Sequence, residues 1–291
     1  MAEELIGIIG GTGLGDALAG RIARGKFYDV TTPFGKPSDK IMVGAIGKRK
    51  VAFINRHGKG HKLIPSEVPY AANVFALKKI GVHTVIGTGA VGSLSDKIGP
   101  GDLVIVDQFI DKTFKRQNTF FTGFGAVHCE MAQPVCERLR KKVIRIAKQV
   151  KVRTYPKGTY ICMEGPQFST RAESLMHRAW GGDVIGMTAM PEAKLAREAQ
   201  MCYCLIALAS DYDCWRPRNK GRDMQTLLRE ITGNLQAATN NCLELIERIL
   251  ASDSELVCED CACRRSLALA VWTNKDQIKA AERKRLAALF E

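Results

Sequence analysis

The feature that most constrains this chain is an alternation. Short apolar runs of strand length recur along it, and amphipathic stretches of helical period lie between many of them. Strands are expected at residues 5–9, 41–45, 51–55, 84–88, 103–107, 159–163, 184–187 and 204–209. Helices are expected at 68–80, 133–150, 170–180, 191–199, 223–250 and 276–290. Alternation of this kind builds βαβ units, so the chain is expected to be an α/β protein with a mostly parallel sheet. Its 291 residues, 46% of them hydrophobic, suffice for one large core, and no repeat, linker or low-complexity segment divides it. In open sheets of this class ligands sit beyond the carboxyl ends of strands. The informative residues are therefore those that follow the apolar runs.

One such run, "CYCLIALASDYDCW", ends in two carboxylates, Asp211 and Asp213, that could hold or protonate a substrate. After the first strand, "GGTGLG" offers backbone amides and the Thr12 hydroxyl to an anion, although Asp16 stands where a dinucleotide fingerprint needs a third glycine. "NRHGKGH" brings Arg56, a planar fork for an anion, and His57, a ring donor. Gly58 and Gly60 argue against the helix that a His57/His61 metal pair would need, so His61 is expected to pack behind the site.

"TGAVGSL", including Ala90, reads as a tight turn or a close backbone approach after a strand. Thr170 and Glu173 have capping-box spacing, with Phe168 just ahead, either as a hydrophobic staple buried on the helix or as an exposed plate for a base. In "IGMTAMPEA" Thr188 could join an anion site while Met187 forms an apolar wall.

A net charge of +13 raises the question of nucleic acid. Its densest stretch, residues 136–153, spaces Leu139, Val143, Ile146, Ala147 and Val150 as one helix face, so the basic residues read as the solvated side of an ordinary helix. No RNA-binding aromatic signature or zinc-finger spacing accompanies them. The first strand begins almost at once, with no basic leader and no run long enough for a membrane span, so a cytoplasmic chain that engages neither membrane nor nucleic acid is expected. Ten cysteines include "CEDCAC", Cys258, Cys261 and Cys263. With no second Cys/His pair nearby in sequence, free thiols or a disulfide are expected there and no metal.

The segments "IGIIGGTGL", "TPFGKPSD", "RHGKGH", "PGDLVIVDQFID", "EGPQFSTRAES", "MTAMPEA" and "SDYDCW" resemble, in order, the trimeric methylthioadenosine phosphorylase branch of the purine nucleoside phosphorylase superfamily. The resemblance covers residues 5–215 and weakens beyond. It implies a single phosphorylase/hydrolase-like domain over 1–291, with a central mixed, largely parallel twisted β-sheet flanked by helices and a Cys-containing helical tail from about residue 252. It also implies phosphorolysis of 5′-methylthioadenosine with phosphate as co-substrate, no cofactor, and a homotrimer or a pair of trimers.

By similarity Thr12, Arg56, His57, Ala90 and Thr188 would bind phosphate, and Met187 the ribose. Phe168 would stack on the purine, Asp211 would protonate N7, and Asp213 would join it at the purine edge. His128 would reach a neighbouring subunit's 5′ substituent, beside an apolar wall of Met224, Leu227 and Leu228. Gly89, where many relatives carry a hydroxyl or amide, and Gly186, where many carry Asn, depart from the pattern. The alternatives are a 6-oxopurine nucleoside phosphorylase and, from another class, a basic nucleic-acid-binding protein.

Overall fold

The computed structural model describes residues 5–11, 13–216 and 224–290. Eleven strands are described: β1 Leu5–Gly10, β2 Ala23–Tyr28, β3 Ile41–Ile46, β4 Arg49–Asn55, β5 Thr84–Ser93, β6 Leu103–Ile105, β7 Gln108–Asp111, β8 Thr154–Tyr155, β9 Thr159–Cys162, β10 Val184–Gly186 and β11 Cys202–Tyr212. The helices are α1 Gly15–Ala19, α2 Tyr70–Lys79, α3 Glu137–Ala147, α4 Arg171–Ala179, α5 Glu192–Glu198, α6 Met224–Ala251 and α7 Ala280–Arg285. The strands form one mixed sheet with six parallel and four antiparallel pairings, as an α/β fold of this kind requires.

The sheet forks at β5. That strand pairs in parallel with β1 over residues 84–87, with β11 along its whole length, and antiparallel with β10 at Gly92 and Ser93. A strand bordered on both edges and packed on both faces favours small residues. At Gly87 a Cβ would lie 2.6 Å from the Tyr203 hydroxyl and 2.9 Å from Glu192 Oε1. The small residues 88–93 thus belong to the strand and not to a turn after it. β11 likewise runs past residue 209, shifting register between Ala209 and Asp211, so Asp211 lies at an irregularity inside the strand. The "PGD" segment secures that point: Gly101 N–H donates to Ala209 O at 2.8 Å and Ala209 N–H to Asp102 O at 3.0 Å.

Apolar residues pack on the sheet in two large clusters. Helix α3 buries Leu139, Val143, Ile146 and Ala147, the stripe expected of it, with Lys141 and Arg145 exposed and Arg138, Arg140 and Lys142 half-buried. No described helix is long and apolar enough to cross a membrane. The tail departs from expectation. In place of a helix over 276–290, α7 spans Ala280–Arg285 between short 3₁₀ turns. The tail feeds both clusters, with Leu256, Cys261 and Cys263 in one and Leu267, Ala270, Ile278, Leu286 and Leu289 in the other.

Its cysteines also meet partners that spacing in the sequence does not reveal. All ten are free thiols, and Cys261 and Cys263 converge with Cys136 and Cys202, 59 or more residues away in sequence, while Cys258 stays outside the group.

Candidate active site

The parallel strands β1, β4, β5 and β11 end along one edge, and the predicted site residues that the structure describes, His128 excepted, lie toward it. A cavity of about 180 Å³ opens beyond β1 and β4, lined by Gly11, Gly13, Asn55, His57 and His61 among others. Gly11 has no room for a side chain, since a Cβ would lie 2.8 Å from both Arg56 Nη1 and Thr88 O and 3.2 Å from Gly89 Cα. A Cβ on Gly89 would in turn lie 3.4 Å from Thr188 Oγ1, so Gly11, Gly89 and Thr188 form one neighbourhood. Ala90 follows, half-buried on β5. Thr12 lies outside the described residues, and so do the side chains of Met224, Leu227 and Leu228 on α6.

Arg56 differs from expectation. Its fork is not open to an anion: Nε donates to Glu192 Oε2 at 2.7 Å and Nη2 to Glu192 Oε1 at 2.9 Å, while Nη1 donates to Thr88 O at 2.7 Å. Both side chains are fully enclosed, and Tyr203 adds a hydrogen bond to Glu192 Oε1 at 2.8 Å. The physical reason is burial. A guanidinium with no exposed surface needs a counter-charge inside the protein, and Glu192 keeps it ionised despite desolvation. Of its nitrogens Nη1 is the one nearest Gly11, where a Cβ would lie 2.8 Å from it.

His57 also reverses sense. Its Nδ1 donates to Leu63 O at 2.8 Å, and burial, reinforced by the Arg56 charge, lowers its pKa to about 4. The ring is neutral at neutral pH, so its second nitrogen accepts a hydrogen bond from a ligand and does not donate one. His61 stacks on it at 4.2 Å but is exposed and lines the cavity itself, so it does not pack behind the site; Gly58 and Gly60, both at positive φ, exclude a helix.

At the far end of β5 stand the acids. Asp211 is half-buried, accepts from the Ser210 hydroxyl at 2.7 Å and approaches Gly92, where a Cβ would lie 3.2 Å from Oδ1. Burial raises its pKa above the ordinary aspartate range; the Ser210 hydrogen bond opposes this and the Asp213 charge adds to it. Asp213 is buried, donates its own N–H to Ser93 O at 3.0 Å, and leaves Oδ2 without a hydrogen-bond partner among the described residues. An enclosed carboxylate oxygen of this kind suits an incoming N–H.

Phe168 is not a buried staple. It is 83% exposed, one residue from Ser169, whose carbonyl meets Cys214 Sγ at 3.2 Å beside the acids. The Thr170–Glu173 capping box that follows it forms as expected.

Two residues unmarked in the sequence complete the framework. Arg116 donates from Nε to Glu164 Oε1 at 2.9 Å, from Nη1 to Met187 O and Met190 O at 2.6 Å each, and from Nη2 to Glu164 O at 2.6 Å. It thereby ties the loop after β9 to the loop carrying Met187 and Thr188. The one signal in the sequence was a Glu164 isolated between an apolar strand and Gly165. His128 is not brought to this edge. It is exposed, its ring meets Trp272 at 5.0 Å, and it lines a separate open groove of about 900 Å³ with Lys194 and Glu198.

A model of the phosphorylase superfamily matches residues 5–251, nearly the whole span that carries these groups. The chain belongs to the phosphorylase superfamily. Among its relatives is the S-methyl-5′-thioadenosine phosphorylase of Koribacter versatilis, 44% identical over 98% of this chain and 95% of the relative. Another is that of Xenopus tropicalis, 45% identical over 85% of this chain and 90% of the relative. Among solved structures, a methylthioadenosine phosphorylase from an Antarctic soil metagenomic library superposes with a TM-score of 0.89 at 40% identity, covering all of both chains. The methylthioadenosine phosphorylase of Schistosoma mansoni in complex with adenine gives 0.79 at 35% identity, covering 93% of this chain and 99% of that one.

Proposed function

We propose that this protein phosphorolyses S-methyl-5′-thioadenosine reversibly, giving adenine and 5-methylthioribose 1-phosphate. The observation that carries the reading is the order along β5: an anion-sized cavity and the Gly11–Gly89–Thr188 neighbourhood at one point, and a carboxyl held toward its protonated form at Gly92. Gly89 and Gly92 are three residues apart, about 10 Å along a strand. A sugar fits between an anion bound at the first and a base held at the second.

A phosphate oxygen attacks C1′ as the C1′–N9 bond breaks, and the bonding electrons pass into the purine. Asp211 donates its proton to N7, neutralising the leaving base, while its other oxygen and Asp213 Oδ2 accept from the N6 amino group. The anomeric carbon passes through an oxocarbenium-like state, which the adjacent phosphate stabilises electrostatically. Thr12, Thr188, Ala90 and the Nη1 edge of Arg56 hold the phosphate. Neutral His57 accepts from its P–OH group, which favours a singly protonated oxygen on that side. Met187 covers the ribose and Phe168 stacks on the purine. Inosine is disfavoured because its 6-oxo group brings an acceptor to two acceptors.

The reaction as written needs no metal or organic cofactor. The pocket around the 5′ substituent is completed by Met224, Leu227 and Leu228 and by His128 of a neighbouring copy, in a homotrimer or a pair of trimers, in the cytoplasm. His128 supports this reading because it is exposed on a groove apart from the acids. The test is base release from methylthioadenosine, adenosine and inosine with and without phosphate. Adenine release from methylthioadenosine that depends on phosphate is expected, and release independent of phosphate, or preference for inosine, refutes it. Light scattering during turnover tests the shared site, which a fully active monomer would exclude.

A further inference from the structure

Away from this edge, four thiols with no part in phosphorolysis meet where the tail crosses the core. The Sγ atoms of Cys136, Cys202, Cys261 and Cys263 all lie within 4.8 Å of one another, and Cys136 and Cys261 are 3.6 Å apart. A disulfide requires about 2.05 Å. A tetrahedral zinc with bonds of about 2.3 Å separates its sulfurs by about 3.8 Å, near the 3.6 Å of the Cys136–Cys261 pair and inside the 4.8 Å that bounds the set.

Two cations attend the group. Arg197 Nη1 reaches Cys263 Sγ at 3.6 Å. Arg138 lies against Cys202 and Cys261, and its buried Nε has no hydrogen-bond partner among the described residues. Four thiolates around a divalent ion carry a net charge of −2, which two guanidiniums compensate, each offering N–H groups to sulfur.

We propose that Cys136, Cys202, Cys261 and Cys263 form a structural site for a soft divalent metal, zinc, that fastens the C-terminal tail to the body of the protein. The set is closed: four protein ligands leave no position for water or substrate, as in sites that stabilise and do not catalyse. Binding converts four thiols to thiolates and releases four protons to solvent, with no change of oxidation state. Two ligands come from the body, at the start of α3 and of β11, and two from the tail, so the metal joins segments that no continuous element links. From Cys263 the tail runs on to pair with the loop of His128, whose N–H donates to Ala270 O at 2.9 Å. The metal therefore also anchors the groove in which that histidine stands.

The test is metal analysis of the full chain, purified under reducing conditions from cells grown with zinc. About one zinc per chain is expected, retained on gel filtration. Cys261→Ser/Cys263→Ser should lose it and melt at least several degrees lower, whereas Cys258→Ser should keep both metal and melting temperature. Should the double variant fail to fold, cobalt substitution of the parent protein decides independently: the visible absorption of a tetrahedral tetrathiolate is expected. Parent protein with less than a tenth of an equivalent of zinc overturns the proposal, whether its four thiols are free or mass spectrometry finds them joined as disulfides. Zinc retained undiminished by the double variant overturns it as well.

Discussion

The buried ion pair behind the proposed phosphate cavity makes a quantitative prediction. Glu192→Ala removes the partner of Arg56, a guanidinium with no exposed surface, together with two hydrogen bonds of 2.7 and 2.9 Å and the acceptor of Tyr203. Breaking a buried pair from one side costs about 3–5 kcal/mol, because the remaining charge stays desolvated. At about 2–4 °C per kcal/mol for a chain of this size class, the melting temperature should fall by on the order of 10 °C.

Inorganic phosphate adds a second readout. If it binds beside Arg56 Nη1, it restores part of the missing negative charge, so it should raise the melting temperature of the variant more than that of the parent. Chloride at matched ionic strength should not, since screening alone favours neither. The assay is thermal and urea unfolding of both proteins at fixed protein concentration, in each salt. A loss below about 1 kcal/mol would show that Arg56 finds another partner and that Glu192 does not hold it. An equal phosphate shift in both proteins would separate Arg56 from the anion.

Asp211→Asn should leave melting unchanged and lower kcat on methylthioadenosine about 10²–10⁴-fold, the usual worth of a general acid; an undiminished kcat would remove Asp211 from the chemistry. Because its pKa is raised and the protonated form is the donor, kcat of the parent should fall as pH rises through that raised value, and a pH profile rising over the same range would contradict the assignment. Phe168→Ala should lower kcat/KM about 5–150-fold, mainly through KM, as expected for about 1–3 kcal/mol of base stacking by a residue too exposed to support the fold.

Glu198, pushed up by burial to about 6, binds a proton more tightly folded than unfolded, so the protein loses stability as pH climbs from about 4.5 to 6. Glu198→Gln, which keeps an acceptor for Phe120 N–H, should therefore gain up to about 2 kcal/mol at pH 7, at about 1.4 kcal/mol per tenfold change, and nothing below pH 4. Urea titrations at the two pH values check it.

Much of the architecture was legible because apolar period is a local property. The stripe Leu139, Val143, Ile146 and Ala147 named the buried face of α3, and Thr170 with Glu173 named the start of α4. Position along the site edge was legible for the same reason, since Arg56, Thr188 and the two aspartates each follow an apolar run. Partnership was not. The fork of Arg56 reads as open to a ligand in the sequence because nothing local shows that Glu192, 136 residues on, occupies it. Phe168 read equally well as staple or plate until its exposure was known. Strand β2, "ARGKFY", escaped notice because an edge strand exposed on both faces has no apolar alternation to display. Cys136 and Cys202 lay too far from Cys261 and Cys263 for spacing to join them.

The tail that contributes to both apolar clusters has a consequence for how the protein is made. Arg49 holds Ser252 O and Ser254 O, Arg138 holds Leu256 O, and Gln200 holds Leu289 O, all contacts between the body and residues synthesised after it. A ribosome still shields those residues when the body has just emerged. Until the tail emerges, the faces that Leu256, Leu286 and Leu289 will cover remain open to water and to other nascent chains. Docking of the tail is thus a late step of folding, and the interval before it is when the apolar faces of the body are most open to association.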